Sequence, residues 1–513
     1  MVRPRRNEYG PLRDHHGVTQ SDQGTACSAT IAGAFEARFA ELAGLLAPVF
    51  SRCDLRSNAE AYVRALLMSG VSGNCWTLAQ AVGHERPYRL QHLLSGAVWD
   101  EDAVRDAVRS FVARHLGDGG VLIFDETGDL KKGQDTAGTG RQYTGIAGRI
   151  ENAIVAVYAS YATMHGHALI DRELYVQAEW FADPERMRAA GFDADHAFAT
   201  KGQIARAQAQ RALDSELRPA WATGDEVYGR SSELRTLFEQ RGVGYVFAVG
   251  ADFRITTSGS VTMRADQAIG LVEARGWNRR SCGNGAKGRR LYDWAWIATA
   301  SPRHQLLIRR KNSDPSEAAY YIAYVPAHYV CSLTDLVRVA GTRWAIEDDF
   351  QDAKQAVGLD ETQVRRYRAW KRHTALALAA YALLAIASAL AKAAHPAPVL
   401  PDEPDQTPPA DCGMTALTVP EIQRLLPLRT PDRRRQDADT DFGLSWSHWR
   451  RRHQARARWH HYRARLAPAV TRPARDSART KSDAPRTRPA ARARTSAHAQ
   501  ESAPRSPRPR RTP

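Results

Sequence analysis

The chain has 513 residues, of which 43% are hydrophobic and 8% aromatic, which excludes a mostly disordered protein and leaves room for about two to four domains. Its net charge of +16 predicts a polyanionic partner such as nucleic acid. However, residues 451–513 hold 18 of the 72 basic and 3 of the 56 acidic residues, a net of +15, so the remainder carries only +1. Any nucleic-acid surface outside the C-terminal end must therefore come from local patches.

The six cysteines are dispersed along the chain and form no CxxC pair. This pattern argues against a zinc site and a disulfide framework, and it fits a reducing cytosol.

The N-terminal region is predicted to be helical after a short leader. Residues 1–30 suggest a flexible leader without the apolar segment of a signal peptide, and residues 31–116 a helical domain. Within that domain, residues 77–83 and 90–94 indicate two helices joined by a turn. They could form a DNA-binding module or a small bundle that packs on the next domain, and the sequence favours neither.

Residues 117–250 change to an α/β pattern, in which three strands precede the first long helix. The strand-like runs are 121–124, 152–163, 168–177, 221–224 and 243–249, and the helix-like run is 202–217.

Residues 251–330 are predicted to be almost entirely β. Apolar and polar residues alternate in 290–298, 305–310 and 318–325. The glycine-rich stretch 282–288 lies between two strand-like runs, lacks the spacing of a phosphate-binding loop and is not followed by a helix. It therefore predicts a hairpin loop.

The helical pattern resumes in residues 331–394. Its apolar part, 374–394, is rich in alanine and predicts a buried core helix rather than a membrane span. Beyond it, the composition predicts a proline-rich linker at 395–412, a basic and aromatic segment at 413–466, and a disordered Arg/Pro-rich tail at 467–513.

Three acidic residues in distant elements could share one site. Asp125 and Asp225 each follow a strand-like run, although an Asp in this position can simply organise a turn. Glu347 lies in a helix-like segment, on the same face as Arg343 and Lys354. A surface ion pair between Arg343 and Glu347 is the simpler alternative. If the three carboxylates converge, they make a site for hard divalent cations, and the neighbouring cations suit phosphate oxygens.

With these residues the sequence resembles the bacterial insertion-sequence transposases of the DDE type. The resemblance is greatest to the branch with a β-rich insertion before the catalytic Glu and a Tyr-x2-Arg-x3-Glu-x6-Lys signature. Arg343, Glu347 and Lys354 match its last three positions, whereas Ala340 stands in the Tyr position. The resemblance covers roughly residues 35–465 and includes the stretches 200–202, 225–229, 244–249 and 446–454.

The resemblance implies an α/β fold, with an RNase H-like mixed sheet and a β-rich insertion between a helical N-terminal domain and a disordered basic tail. It implies that Asp125, Asp225 and Glu347 are the catalytic triad and bind two Mg2+ or Mn2+ ions. The implied reaction cuts transposon ends and joins the freed 3′-hydroxyl to target DNA. The implied partners are terminal inverted repeats, target DNA and a second copy of the chain, in the bacterial cytoplasm at the nucleoid and without a membrane.

Further residues are predicted to contact DNA, because basic side chains with interleaved aromatics suit a phosphate backbone. They are Arg343, Lys354, Arg365, Arg366, Arg368, Lys371, Arg372, Trp449, Arg450, Arg451 and Arg452. By family analogy Trp294 and Trp296, on one face of a strand, are candidates for stacking on a DNA base, with packing on the sheet as the alternative.

Other charged residues near the acids are interpreted as solvated, although the glutamates could support the metal ligands and the lysines could reach phosphates. They are Glu126, Glu226, Lys131, Lys132 and Lys201.

Two alternative functions stay open beside an active transposase. One is an RNase H-like nuclease that does not join strands, and the other is a domesticated DNA-binding protein that has lost catalysis. The intact triad argues against the second, and nothing in the sequence separates the first from a transposase. Short inverted repeats flanking the coding region would favour the transposase.

Overall fold

The computed structural model describes residues 20–71, 73–285, 288–396, 413–426 and 436–466. Residues up to 466 form one unit, and the second unit, 467–513, lies outside the described residues. The predicted tail and nearly all of the predicted linker therefore stay predictions.

The N-terminal region is helical, as predicted. Its helices are α1 (Gln20–Leu46), α2 (Cys53–Leu67), α3 (Cys75–Ala81), α4 (Tyr88–Ser95) and α5 (Glu101–Leu116). Helix α3 begins after Asn74, whose side chain accepts hydrogen bonds from the backbone amides of Trp76 and Thr77, and Asp100 caps α5 in the same way. The flexible leader predicted for 1–30 is wrong from Gln20 onward, where α1 starts, and residues 1–19 lie outside the described part.

The central sheet begins with β1 (Val121–Leu130), β2 (Gly140–Thr144), β3 (Arg149–Ala162), β4 (His167–Tyr175), β5 (Trp221–Gly224) and β6 (Gly244–Val249). Strand β3 pairs antiparallel with β1, β2 and β4, whereas β5 pairs parallel with β1 and β6. The resulting order β4-β3-β1-β5-β6 is the RNase H-like arrangement, so the predicted fold class is confirmed. Strand β2 was not predicted.

The β-rich segment contributes β7 (Arg254–Thr256), β8 (Thr262–Arg264), β9 (Asn278–Gly285), β10 (Gly288–Ala298), β11 (His304–Arg310) and β12 (Ala318–Tyr324). Strand β12 pairs with β6, and β11, β10 and β9 follow in order. The insertion thus continues the same sheet, which has ten strands among the described residues. The predicted hairpin is present, because Gly285 pairs with Gly288.

The remaining α-helices lie between and after these strands in the chain. They are α6 (Ala178–Phe181), α7 (Pro184–Ala189), α8 (Lys201–Leu213), α9 (Glu226–Gly229), α10 (Ser232–Gln240), α11 (Ala265–Ala268), α12 (Leu333–Thr342), α13 (Trp344–Val357), α14 (Tyr367–Ala394), α15 (Val419–Leu425) and α16 (Gln436–Leu466). Helix α14 is long and apolar enough to span a membrane, but 89% of its most apolar stretch is buried inside the protein. The prediction of a core helix is therefore confirmed.

Helix α4 packs on α2 and α14 through its buried residues Leu90, Leu93 and Leu94. This is the bundle-type arrangement that the sequence left open. Whether the same helices also contact DNA stays a prediction.

A partly buried ionic network ties the helical region to the core. The fully buried Arg172 on β4 donates to Asp102 on α5 at 3.1 Å and to the Lys371 carbonyl on α14 at 3.0 Å. Lys371 in turn donates to Asp102 at 2.7 Å, and Arg372 donates to Glu101 at 3.3 Å. Buried charges need such partners, and the network therefore fixes α5 against α14 and β4.

Candidate active site

Asp125 lies in the middle of β1, not at its end as the sequence suggested. The strand continues to Leu130 because it stays paired with β3 up to Ala153. Its other neighbour, β5, stops at the Phe124–Gly224 pair. Asp125 is thus the first residue of β1 beyond the end of β5, and 12% of its side chain is exposed.

Asp225 is the first residue after β5. The parallel register that pairs Phe124 with Gly224 brings the two aspartates side by side, as predicted for carboxyl ends of adjacent strands. Asp225 also accepts a hydrogen bond from the Val227 amide at 2.9 Å and caps α9, so it organises the turn as well. Burial, followed by the nearby charge of Glu126, raises the pKa of Asp225.

Glu347 reaches the same place from α13. Arg343, at the start of this helix, places one guanidinium nitrogen 2.7 Å from Asp125 Oδ2 and 3.5 Å from Glu347 Oε1. The predicted apolar stripe of α13 is buried; its members are Ile346, Phe350, Ala353 and Val357. The helical wheel read from the sequence is therefore confirmed, and it orients Glu347 toward the aspartates.

All three acids line one open cleft of about 950 Å³, together with Glu126 and Lys354. The pKa of Asp125 is raised to about 7, first by burial and then by the charges of Asp225, Glu347 and Glu126, while Arg343 opposes the rise. A buried carboxyl group with other carboxylates around it resists ionisation, and a bound cation would stabilise its charged form.

Lys354 is held beside the acids on the wall formed by β1. Its Nζ donates to Thr127 Oγ1 at 2.7 Å and to the Gly128 carbonyl at 3.1 Å. Burial lowers the pKa of this lysine. The structure thus brings Arg343, Glu347 and Lys354 together with both aspartates.

The interpretation of Glu126 as solvated is wrong. Its carboxylate accepts from Lys201 Nζ at 2.6 Å and from the Tyr228 hydroxyl at 2.6 Å, which also places Lys201 in an ion pair. Lys131 is likewise paired, with Asp129 and with the Thr362 carbonyl.

The other two residues interpreted as solvated lie on the surface. Glu226 and Lys132 are both exposed.

The donor set fits a hard divalent cation that is shared with a substrate. Among the described residues, no three Asp, Glu, His or Cys side chains are close enough together to enclose an ion on their own. Mg2+, however, is commonly held by one or two carboxylates, waters and substrate phosphates rather than by a complete protein cage. Carboxylates on two adjacent strands and a facing helix suit that kind of site.

Two of the predicted DNA contacts in α14 are corrected by the structure. Arg372 is buried with 2% exposure and bonds to Glu101 and two backbone carbonyls, and Lys371 is paired with Asp102. Their charges are used inside the protein. The neighbouring arginines at the start of α14 remain exposed; they are Arg365, Arg366 and Arg368.

The predicted contacts in α16 divide in the same way. Arg451 is buried and donates to the Thr415 carbonyl at 2.7 Å, so the prediction that it contacts DNA is corrected. Trp449 is 58% exposed and Arg452 is exposed. The Arg450 side chain lies outside the described part.

The two tryptophans of β10 have different surroundings. Trp294 is buried with 1% exposure and packs against Tyr321, with ring centroids 5.8 Å apart, so base stacking is wrong for this residue. Trp296 is 42% exposed, and its predicted role stays open.

An exposed aromatic residue beside Arg343 was missed. Trp344 follows Arg343, is 47% exposed, lines the cleft with the acids, and has the Arg290 guanidinium 5.3 Å from its ring centroid. Because Trp344 directly follows Arg343 in the sequence, it could have been predicted to lie near the cleft as well.

Two family models match the chain. The DDE superfamily endonuclease matches residues 45–269, a range that contains Asp125 and Asp225. The transposase DDE domain matches residues 193–383, which contain Asp225 and Glu347.

A probable transposase for insertion sequence element IS701 from Microchaete diplosiphon is 28% identical over 174 residues. The match covers 34% of this chain and 43% of that relative, so the chain spans less than half of its length. Among solved structures, a piggyBac transposase synaptic complex with hairpin DNA aligns with a TM-score of 0.38 and 11% identity, over 77% of this chain and 76% of that one.

The family matches divide the three acids between them and overlap at Asp225, and the fold places all three in one cleft. The chain is thus similar to the endonucleases and transposases of the DDE type over residues 45–383.

Proposed function

We propose that this protein cuts DNA at the ends of an insertion sequence and joins the freed 3′-hydroxyl to target DNA. The observation that carries the proposal is the convergence of Asp125, Asp225 and Glu347 in one cleft, from two adjacent parallel strands and a facing helix. The partners would be terminal inverted repeats and target DNA in the bacterial cytoplasm, at the nucleoid. Synapsis of two ends would require two copies of the chain.

The three carboxylates would hold the divalent ions of the family, Mg2+ or Mn2+. When bound, such ions activate the attacking oxygen and stabilise the leaving oxygen of a phosphodiester. The protein itself supplies the placement of its acids: β1 and β5 hold the aspartates side by side, and the buried stripe of α13 turns Glu347 toward them. This placement orients the phosphate for in-line attack, which is where most acceleration of phosphoryl transfer comes from.

The cations beside the acids would hold the phosphate. Lys354 of α13 donates to Thr127 of β1 at the edge of the cleft, and Arg343 lies between Asp125 and Glu347. Both side chains donate several hydrogen bonds and carry positive charge, which suits the developing charge on phosphate oxygens.

The exposed arginines at the start of α14 and the exposed residues of α16 would contact the flanking DNA backbone. They are Arg365, Arg366, Arg368, Trp449 and Arg452.

The experiment is an excision assay on a donor plasmid that carries the element's ends, with purified protein, Mg2+ and a target plasmid. The proposal predicts cleaved ends with a free 3′-hydroxyl and covalent joint molecules with the target. Cleavage without joint molecules would instead support a nuclease that lacks strand transfer. Binding of the ends without any cleavage would support a DNA-binding protein that has lost catalysis.

A further inference from the structure

Two acids on α13 have opposite environments although only one residue separates them. Glu347 faces the cleft, with 44% of its side chain exposed, whereas Asp349 is fully buried. Asp349 therefore cannot contact DNA. A carboxylate removed from water needs compensating hydrogen bonds, and its partners show what it does there.

Three elements supply those hydrogen bonds. The Asp349 carboxylate contacts the Ser160 hydroxyl on β3, His167 Nδ1 on β4 at 2.7 Å and the Tyr381 hydroxyl on α14 at 2.5 Å. The carboxylate thus joins α13 to two strands of the sheet and to α14.

One of these contacts connects the two halves of the active site. Asp125 on β1 pairs with Tyr158 on β3, and Ser160 is two residues further along β3. Asp349 therefore ties the helix that carries Glu347 to the strand that is paired with Asp125. The apolar stripe of α13 can tolerate small shifts of the helix, whereas hydrogen bonds to fixed donors specify its position.

We infer that Asp349 is the positioning residue of the active site, which sets the distance of Glu347 from Asp125. The inference rests on the proposed function, because it takes Glu347 as a metal ligand. Removing this anchor would loosen metal binding while leaving DNA binding in place.

The test compares metal binding and DNA cleavage in variants of the full chain. Tyr381→Phe removes one hydrogen bond, and Asp349→Ala removes all three. Each should weaken Mn2+ binding to the DNA-free protein, measured by calorimetric titration, by about tenfold or more, as expected for groups that orient ligands. Each should also raise the Mg2+ concentration for half-maximal cleavage, with DNA affinity unchanged.

A conservative variant separates positioning from charge. Asp349→Asn keeps an acceptor oxygen for His167 and Tyr381 and offers an amide to Ser160, so it should recover most of the metal affinity. The matched control is Asp171→Asn on β4, a carboxylate with 1% exposure that is paired with Arg211 at 2.9 Å. It should lower thermal stability without changing metal affinity.

The inference is overturned if both Tyr381→Phe and Asp349→Ala bind metal as tightly as the wild type. If Asp349→Ala does not fold, the metal affinity of Tyr381→Phe decides the test alone. An equal loss in Asp171→Asn would overturn it too, because the effect would then be general destabilisation. If the wild-type protein neither binds Mn2+ nor cuts DNA, the proposed function itself fails, and the inference with it.

Discussion

Arg343 lies between two acids of the cleft. From the sequence, its role was either a DNA contact or a surface ion pair with Glu347. Its guanidinium bridges Asp125 and Glu347, and 24% of its side chain is exposed. In the metal-free protein it therefore balances carboxylates that would otherwise repel each other. Neither of the two roles inferred for Arg343 involved Asp125, because a partner 218 residues away leaves no local pattern in the sequence.

Replacing Arg343 should destabilise the metal-free protein. Arg343→Ala leaves the buried Asp125 carboxylate without its closest cation, which should lower the free energy of unfolding by about 1–3 kcal/mol. Denaturant unfolding in the presence of a chelator measures this, and added Mg2+ should recover part of the loss. The control is Arg338→Ala on the exposed side of α12, which should change stability by less than about 0.5 kcal/mol. Equal effects of the two substitutions would contradict the bridging role.

Asp125 should make the stability of the metal-free protein fall as pH rises. Its pKa is raised from 3.8 to about 7 in the folded state, so its protonated form favours folding. That contribution is fully present below the unfolded pKa and is lost as pH rises through about 7. Melting temperatures measured across this range with a chelator should decline, and Asp125→Asn should flatten the decline. An unchanged slope in the variant would assign the pH dependence to other groups.

Helices and strands could be predicted from the sequence where apolar residues recur with a clear helix or strand period. The strands around Asp125 and Asp225 and the buried stripe of α13 followed from apolar patterns. Strand β2 was missed because Gly140–Thr144 carries no apolar alternation. The β-rich segment could not be placed, because its attachment to the sheet depends on long-range pairs such as Ile322 with Phe247.

Glu126 shows the same limit within the site. Its partners Lys201 and Tyr228 are 75 and 102 residues away, and only the fold brings them together.

The close approach of α12 to β9 should be sensitive to a single methyl group. A Cβ at Gly341 would overlap the backbone carbonyl of Cys282, and α13 with Arg343 and Glu347 follows directly. Gly341→Ala should cost about 1–3 kcal/mol in stability and lower the cleavage rate. Gly44→Ala in α1 is the control, since it meets open space and should gain up to about 1 kcal/mol of helix propensity. Thermal unfolding of both variants tests this prediction. If Gly341→Ala is as stable as Gly44→Ala, the close contact between Gly341 and Cys282 does not limit stability.

At the scale of the whole molecule, the part of the chain that holds the candidate active site is nearly neutral, and most of the positive charge lies at the C-terminal end. Residues 1–450 carry a net charge of only +1, and several of their arginines and lysines are used in buried pairs such as Arg372 with Glu101. Residues 467–513 hold 12 Arg or Lys and 3 Asp or Glu. The C-terminal end is therefore expected to supply salt-sensitive affinity and not catalysis.

A chain that ends at Leu466 should bind DNA more weakly at low salt. The slope of log affinity against log salt should fall by about 0.9 for each phosphate contact that is lost. Cleavage at saturating DNA should equal that of the full chain, because the cleft lies within residues 125–354. An unchanged slope, or loss of cleavage at saturating DNA, would contradict this division.

The central claim is that three acids from distant parts of the chain form one catalytic site. The most direct measurement is DNA cleavage by Asp125→Asn, Asp225→Asn and Glu347→Gln, beside Glu226→Gln, an exposed acid next to Asp225. We expect each of the first three to abolish cleavage while DNA binding persists, and Glu226→Gln to cut like the wild type. Wild-type cleavage by any one of the three would contradict it.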